Sequence, residues 1–235
     1  MTQIPTFVSN KKTTKILLFH SILFVALCYL LSSCASMSTL QTARTTEKKK
    51  LVGGFSGGTV NFDTGIKKDT TPTSSNIVLN VPFIELYARY GITDKWDAGM
   101  KLTIIGTFLV DTKYQFLGDD KSKFAGSIGL GLGTLNITSG DYTNKVKDVH
   151  FPLYLSYHSA EWFGLYANPR YIMRFNSEKN GSSPTTTYTS NWYGATGGIR
   201  LGKKSALFLE YSYFLNSKVS NPFTQFTVGL GFGVR

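Results

Sequence analysis

FIELYARYGITDKWDAGMKLTIIGTFLVDTKYQFL, running from Phe83 to Leu117, carries apolar side chains at every second position through three successive runs. Ile84, Leu86, Ala88 and Tyr90 share one parity, Trp96, Ala98, Met100, Leu102 and Ile104 continue it, and Phe108, Val110, Thr112, Tyr114 and Phe116 follow. Between them stand Glu85, Tyr87, Arg89, Asp97, Lys101, Thr103, Asp111, Lys113 and Gln115. A period of two belongs to β-strands, so one face of this stretch is apolar and the other is polar and charged.

The same alternation recurs to the C-terminal end. Phe124 to Leu135 sets Phe124, Ile128, Leu130 and Leu132 against Ser127, Gly129, Gly131 and Gly133. Val149 to Tyr157, Phe163 to Phe175, Asn191 to Gly202, Ala206 to Leu215 and Phe226 to Val234 follow, and a glycine-rich first strand opens at Leu51. Polar connections separate them. At one end lie the short turns 91–95, 118–122, 159–162 and 203–205; at the other lie long polar stretches at 60–80, 136–148, 176–190 and 216–224, with one tight connection at 105–107. The count is ten, with eight and twelve as the neighbouring alternatives. The expected fold is therefore all-β: an antiparallel up-and-down barrel of the transmembrane type, whose tilted strands need about 9 to 11 residues to cross a bilayer.

The N-terminal 33 residues have no acid, carry Lys11, Lys12 and Lys15, and run apolar from Ile16 to Leu31. This is the charged-then-apolar plan of an export signal. The run ends Leu31-Ser32-Ser33-Cys34, which resembles the lipobox of bacterial lipoproteins. That resemblance implies cleavage before Cys34 and acylation of its thiol, and Ala35 in place of the familiar aspartate of inner-membrane retention points to the outer membrane. Ordinary cleavage after Ala35 or Ser38 is the alternative. Together, 1–33 are expected to form the signal, 34–49 a lipidated cysteine and polar tether, and 50–235 the barrel. Residues 50–235 resemble bacterial outer-membrane barrels in their even strand number and in the asymmetry between short turns and long loops. The resemblance implies external long loops, outer-membrane lipids as partners, and both barrel ends with the anchor at the short-turn side. A soluble lipidated barrel or sandwich is the runner-up, but would need a second layer over the apolar face.

Removing the signal takes the formal charge from +11 to +8 and leaves Cys34 as the remaining cysteine, which excludes an intrachain disulfide. Charged residues make up 17% of the chain, below the usual ~25%, as suits a protein facing lipid. The basic balance admits nucleic acid, but no basic helix or aromatic RNA-binding motif accompanies it, and no nucleic-acid partner is expected. Gly129-Leu130-Gly131-Leu132-Gly133 is no dinucleotide fingerprint, since its glycines recur every two residues with no helix after them; a crowded interior accounts for them. His150 lies near Asp148 and Asp141 at the external end of its strand, where a rim protease or lipid-modifying enzyme would keep its groups, while His158 belongs to the other end. A structural His150 is the simpler reading. No catalytic residue, metal ligand or cofactor is assigned.

What remains is a set of inward charges. Glu85, Arg89, Asp97, Lys101 and Asp111 come from the opening stretch, and Lys113, Arg170, Arg174, Arg200 and Glu210 join them. Both signs in a small barrel point to internal pairing and a filled lumen rather than an open pore. The expected role is structural or surface-interacting through the loops, non-enzymatic; a narrow channel for small polar or anionic solutes and a rim enzyme are the alternatives. Charge matching predicts that paired residues of the second and third strands sum to 186, setting Arg89 opposite Asp97 and Glu85 opposite Lys101. A sum of 212 for the third and fourth strands places Lys101 opposite Asp111, giving one row of Glu85, Lys101 and Asp111.

Overall fold

The computed structural model describes residues 36–67, 76–104, 106–139, 141–217 and 219–233; the stretch 1–33 expected to form a signal, and Cys34, lie outside the described residues. Among the described residues there are ten strands: β1 (Leu51–Lys67), β2 (Asn76–Gly91), β3 (Trp96–Thr103), β4 (Phe108–Leu117), β5 (Phe124–Ser139), β6 (Tyr142–Ala160), β7 (Phe163–Asn180), β8 (Thr186–Leu201), β9 (Ser205–Asn216) and β10 (Val219–Phe232). Each pairs antiparallel with its neighbour in sequence, and β1 closes on β10 from Gly53↔Phe232 to Asn61↔Thr224. Closure leaves no sheet edge, so every strand has a partner on both sides.

Parity sets the two faces. Glu85 is fully buried while its neighbour Leu86 is 55% exposed, and Leu102, Ile128, Leu132, Phe151 and Phe226 join Leu86 on the outer wall. Aromatic pairs stand along its short-turn rim: Trp96 lies 5.1 Å from Tyr114, and Phe124 4.8 Å from Tyr157, ring centre to ring centre.

Much of what reads as long loop is strand. Residues 133–139 pair with 142–148 as the upper part of β5 and β6, and 174–178 pair with 186–190 as the upper part of β7 and β8. Tyr188 donates to Glu178 across that second hairpin at 2.6 Å. Here Thr, Tyr, Val and Asn hold the ladder without the apolar alternation that marks the lower barrel, because beyond the apolar belt nothing selects for it. The wall is uneven as a result: β3 spans 8 residues against 19 for β6.

Turn chemistry governs the other end. Thr93 Oγ1 accepts from the N–H of Lys95 and Trp96, holding the β2–β3 turn. Gly202 has φ +120°, a conformation open mainly to glycine. Between β4 and β5, Asp119 accepts from the Ser122 hydroxyl and the N–H groups of Lys121 and Ser122, and these bonds, the hydroxyl first, hold its carboxyl below the ordinary value. The stabilisation it lends the turn is therefore complete above the ordinary aspartate pKa and is lost as the pH falls through the lowered one.

The register differs from the charge-matched expectation. Tyr87 faces Lys101 and Gly91 faces Asp97, a sum of 188, while Gly99 faces Asp111, a sum of 210. Both pairs of strands are slipped by two residues, which preserves inside and outside but breaks each of the expected charge pairings and sets Asp97 directly opposite Lys113 instead. Gly99 supplies the reason. A Cβ there would stand 2.6 Å from Arg89 Nη1 and 2.8 Å from Asp111 Oδ1, so the missing side chain is the space in which the guanidinium lies.

Residues 36–46, part of the stretch 34–49 expected as a polar tether, run inside the barrel; Ser36, Met37, Ser38, Leu40, Thr42 and Ala43 are buried by its wall. The chain leaves the lumen at the short-turn end, where Lys48 bridges to Gly91 and the Lys49 N–H donates to the Gly91 carbonyl at 2.7 Å. A Cβ at Gly91 would come within 2.0 Å of the Glu47 carbonyl oxygen, whereas one at Gly197 meets nothing. Gly91→Ala is expected to lower stability by about 1–3 kcal/mol through overpacking, with Gly197→Ala within about 0.5 kcal/mol of the parent; urea unfolding midpoints in detergent micelles separate the two.

Candidate functional site in the barrel lumen

The wall meets the inner segment through its main chain. Met37 N–H donates to Gln225 Oε1 at 2.8 Å, and its carbonyl accepts from Arg170 and from Thr196 Oγ1. Lys101 Nζ donates to the Ser38 carbonyl at 2.7 Å, and the Ser38 hydroxyl donates to Glu85. Lower down, Ala43 N–H donates to Ser156 Oγ and its carbonyl accepts from Ser127. Lys113 Nζ donates to the carbonyls of Thr42 at 3.0 Å and Arg44 at 2.9 Å, Thr45 N–H to Gln115 Oε1 at 2.9 Å, and Thr46 N–H to Asp97 Oδ2 at 2.8 Å. An unpaired buried amide or carbonyl costs about 1–3 kcal/mol, so a chain without secondary structure persists in this lumen only because side chains replace the ladder it lacks.

Glu210 is the clearest case. Its carboxylate, almost wholly buried, accepts from the N–H groups of Thr39 and Leu40 at 2.9 and 2.6 Å, from Thr39 Oγ1 at 2.7 Å and from Tyr166 OH at 2.9 Å. Leu40 has φ +53°, and successive N–H groups converging on one anion are what such a backbone bend produces. Leu40 itself packs with Tyr166, Ala206 and Phe208, over Gly229, where a Cβ would stand 2.8 Å from its Cδ2.

Around this segment the inward charges sort into three groups. Arg89 bridges two acids, with Nη2 2.6 Å from Asp97 Oδ1 and Nη1 2.7 Å from Asp111 Oδ2, and Lys113 Nζ lies 3.6 Å from Asp97. Lys101 Nζ lies 3.6 Å from Glu85 Oε2, reaching it diagonally. Arg174 grips Asp148 with two bonds of 2.8 and 2.7 Å and lies 5.2 Å over the Trp192 ring. The expected row of Glu85, Lys101 and Asp111 is thus divided: Lys101 keeps Glu85, and Asp111 belongs to Arg89. Arg170 lies 5.0 Å over the Phe214 ring, and Arg200 donates to the carbonyls of Glu161 and Lys203 in the turns below.

Sequence reading missed the segment itself and the ring of inward apolar residues, Val60, Phe83, Ile172, Phe214 and Phe223, that packs around Met37. Inward apolar residues opposite an alternating apolar face were the available signal. His150 Nε2 lies 3.9 Å from Asp148 Oδ2, but both carboxylate oxygens of Asp148 are taken by Arg174. Beside Lys101, Arg170 and His150 the free space is only about 30 Å³, whereas a vestibule of about 720 Å³ opens at the short-turn end among Arg44, Arg89, Lys113 and Arg200.

No family model and no curated protein matches the chain. Among solved structures it is similar to Ail, the attachment invasion locus protein of Yersinia pestis, at 12% identity over 80% of this chain and 99% of that one, with a TM-score of 0.38. The translocator domain of the autotransporter NalP from Neisseria meningitidis is similar at 9% identity over 94% of this chain and 97% of that one, with a TM-score of 0.39.

Truncating Arg89 leaves two buried acids with reduced compensation. Arg89→Met is expected to cost about 3–5 kcal/mol, part of it recovered in Arg89→Met/Asp111→Leu; a double-mutant cycle by urea unfolding measures the coupling.

Proposed function

We propose that this protein is an outer-membrane β-barrel lipoprotein whose lumen is closed by its own N-terminal segment, and which serves a structural or surface-interaction role through the long hairpins. The observation that carries the reading is the combination of an outward apolar wall, with Leu86 and Leu132 each 55% exposed, and a lumen in which 36–46 are hydrogen-bonded to the inward side chains. An apolar outer band rimmed by aromatic residues is what a lipid-facing barrel presents. Above the vestibule, the space beside Lys101, Arg170 and His150 is about 30 Å³ and holds one or two waters at most, which favours a lumen closed at this level over the narrow-channel alternative. Against a rim enzyme stands the engagement of Asp148 by Arg174, which leaves His150 without a carboxylate free to orient it.

Three measurements test this. In planar bilayers the full mature protein is expected to be silent, and a chain lacking 36–46 to give steady unit currents; steady currents from the full protein count against closure. Mass spectrometry of the mature N-terminus is expected to find acyl chains on Cys34, and an unmodified peptide beginning elsewhere removes the lipoprotein part alone. Epitopes placed at Ser182 and at Asp94 are expected to bind antibody on intact cells in the first case only; the opposite pattern would mean inverted insertion.

A further inference from the structure

The inner segment has a direction. Its C-terminal part is held at the short-turn end: Thr45 Oγ1 donates to the Asp94 carbonyl, Arg44 Nη2 to the Ser122 carbonyl at 2.7 Å, and Lys48 bridges to Gly91. Its N-terminal part is held far up the wall. Met37 packs in a ring made by Val60, Phe83, Ile172, Phe214 and Phe223, with Trp192 against it. Val60, Ile172, Trp192, Phe214 and Phe223 each stand nine residues from the short-turn end of their strand, and Phe83 stands eight. At about 3.3 Å per residue and a tilt of about 40°, nine residues raise this ring roughly 23 Å above the short turns, which is close to the ~25 Å height of a lipid-facing apolar band. The chain between Lys48 and Met37 therefore passes from one edge of that band to the other.

We infer that the barrel threads its own N-terminus across the membrane, so that the mature chain begins on the side of the long hairpins, opposite to Lys48–Lys50. The even strand count had put the N-terminal anchor at the short-turn side, because ten strands return the barrel's own ends there. Eleven residues of inner chain reverse that. The contacts are made to last: the ring excludes water around Met37, and below it the Met37, Ser38, Thr39 and Leu40 main-chain groups are taken up by Gln225, Arg170, Lys101 and Glu210. Side chains from β3 to β10 bond to the segment, so it is held from most of the wall at once. Where the lipoprotein reading also holds, the acyl chains on Cys34 belong to the leaflet beside the long hairpins, and the protein is anchored at the surface that its hairpins face.

The test compares three forms of the full chain, each with one ten-residue epitope, inserted after Ala35, at Ser182 in the β7–β8 hairpin, or at Asp94 in the β2–β3 turn. Antibody binding to intact cells is expected to class the Ala35 insertion with Ser182; classing it with Asp94 overturns the inference. The comparison is internal to the barrel, so if the proposed orientation fails, Ser182 and Asp94 exchange behaviour and the Ala35 insertion still follows Ser182. Purified protein refolded in micelles supplies a second reading that export cannot disturb. Spin labels on Ala35→Cys and Asp94→Cys, in a Cys34→Ser background, are expected about 20 Å or more apart, from the same strand rise and tilt; a separation near 10 Å overturns the inference.

Discussion

An irregular peptide inside a closed barrel must find a partner for each buried amide and carbonyl, and neither a neighbouring strand nor bulk water is at hand. That requirement organises the lumen. The inward positions of β3 to β10 carry Lys101, Lys113, Gln115, Ser127, Ser156, Arg170, Thr196, Glu210 and Gln225, and each of these contacts a main-chain group of 37–45. Recognition through main chain explains why the segment itself, Ser36-Met37-Ser38-Thr39-Leu40-Gln41, has no periodicity that sequence reading can catch. Its specificity lies in the wall.

The second constraint is the size of the lumen relative to its charges. Direct cross-strand pairing is the natural guess for opposite charges, yet long side chains reach diagonal partners at no cost in ladder bonds. Arg89 reaches Asp97 diagonally and Asp111 straight across β3, and it can because the residue facing it, between it and Asp111, is Gly99. A register argument built on charge alone overlooks that a guanidinium needs floor space; the glycine, not the acid, is set opposite the arginine. The alternate glycines of β5 obey the same rule, with Gly129 beneath Pro152 and Tyr154, and Gly131 beside His150 and Asp111.

The strand number, the two faces and the inward placement of Glu85, Arg89, Asp97, Lys101 and Asp111 were legible because an apolar belt imposes period two on every strand that crosses it. Above the belt the imposition stops while backbone pairing continues, so 136–148 and 176–190 look like loops and are hairpin arms. The division of the charges was not legible, since a two-residue slip preserves parity and changes every partner. Nor was the place of 36–46, for an unpatterned polar stretch ahead of the first strand reads equally well as a tether.

The inward charges also explain each other once the segment is in place. Taken alone, the wall has charges with no opposite partner: among the described residues, no ion pair involves Arg170 or Glu210. Left in a dry lumen, each would carry a desolvation penalty of several kcal/mol. The segment resolves both signs with the two ends of the peptide dipole: carbonyls of Met37, Ser38, Thr42 and Arg44 face Arg170, Lys101 and Lys113, and the amides of Thr39 and Leu40 face Glu210. An excess of inward cations, which in an empty barrel would argue for an anion path, is here the complement of a row of carbonyl oxygens. Charge census and pore selectivity part company wherever a main chain supplies the missing counter-charge.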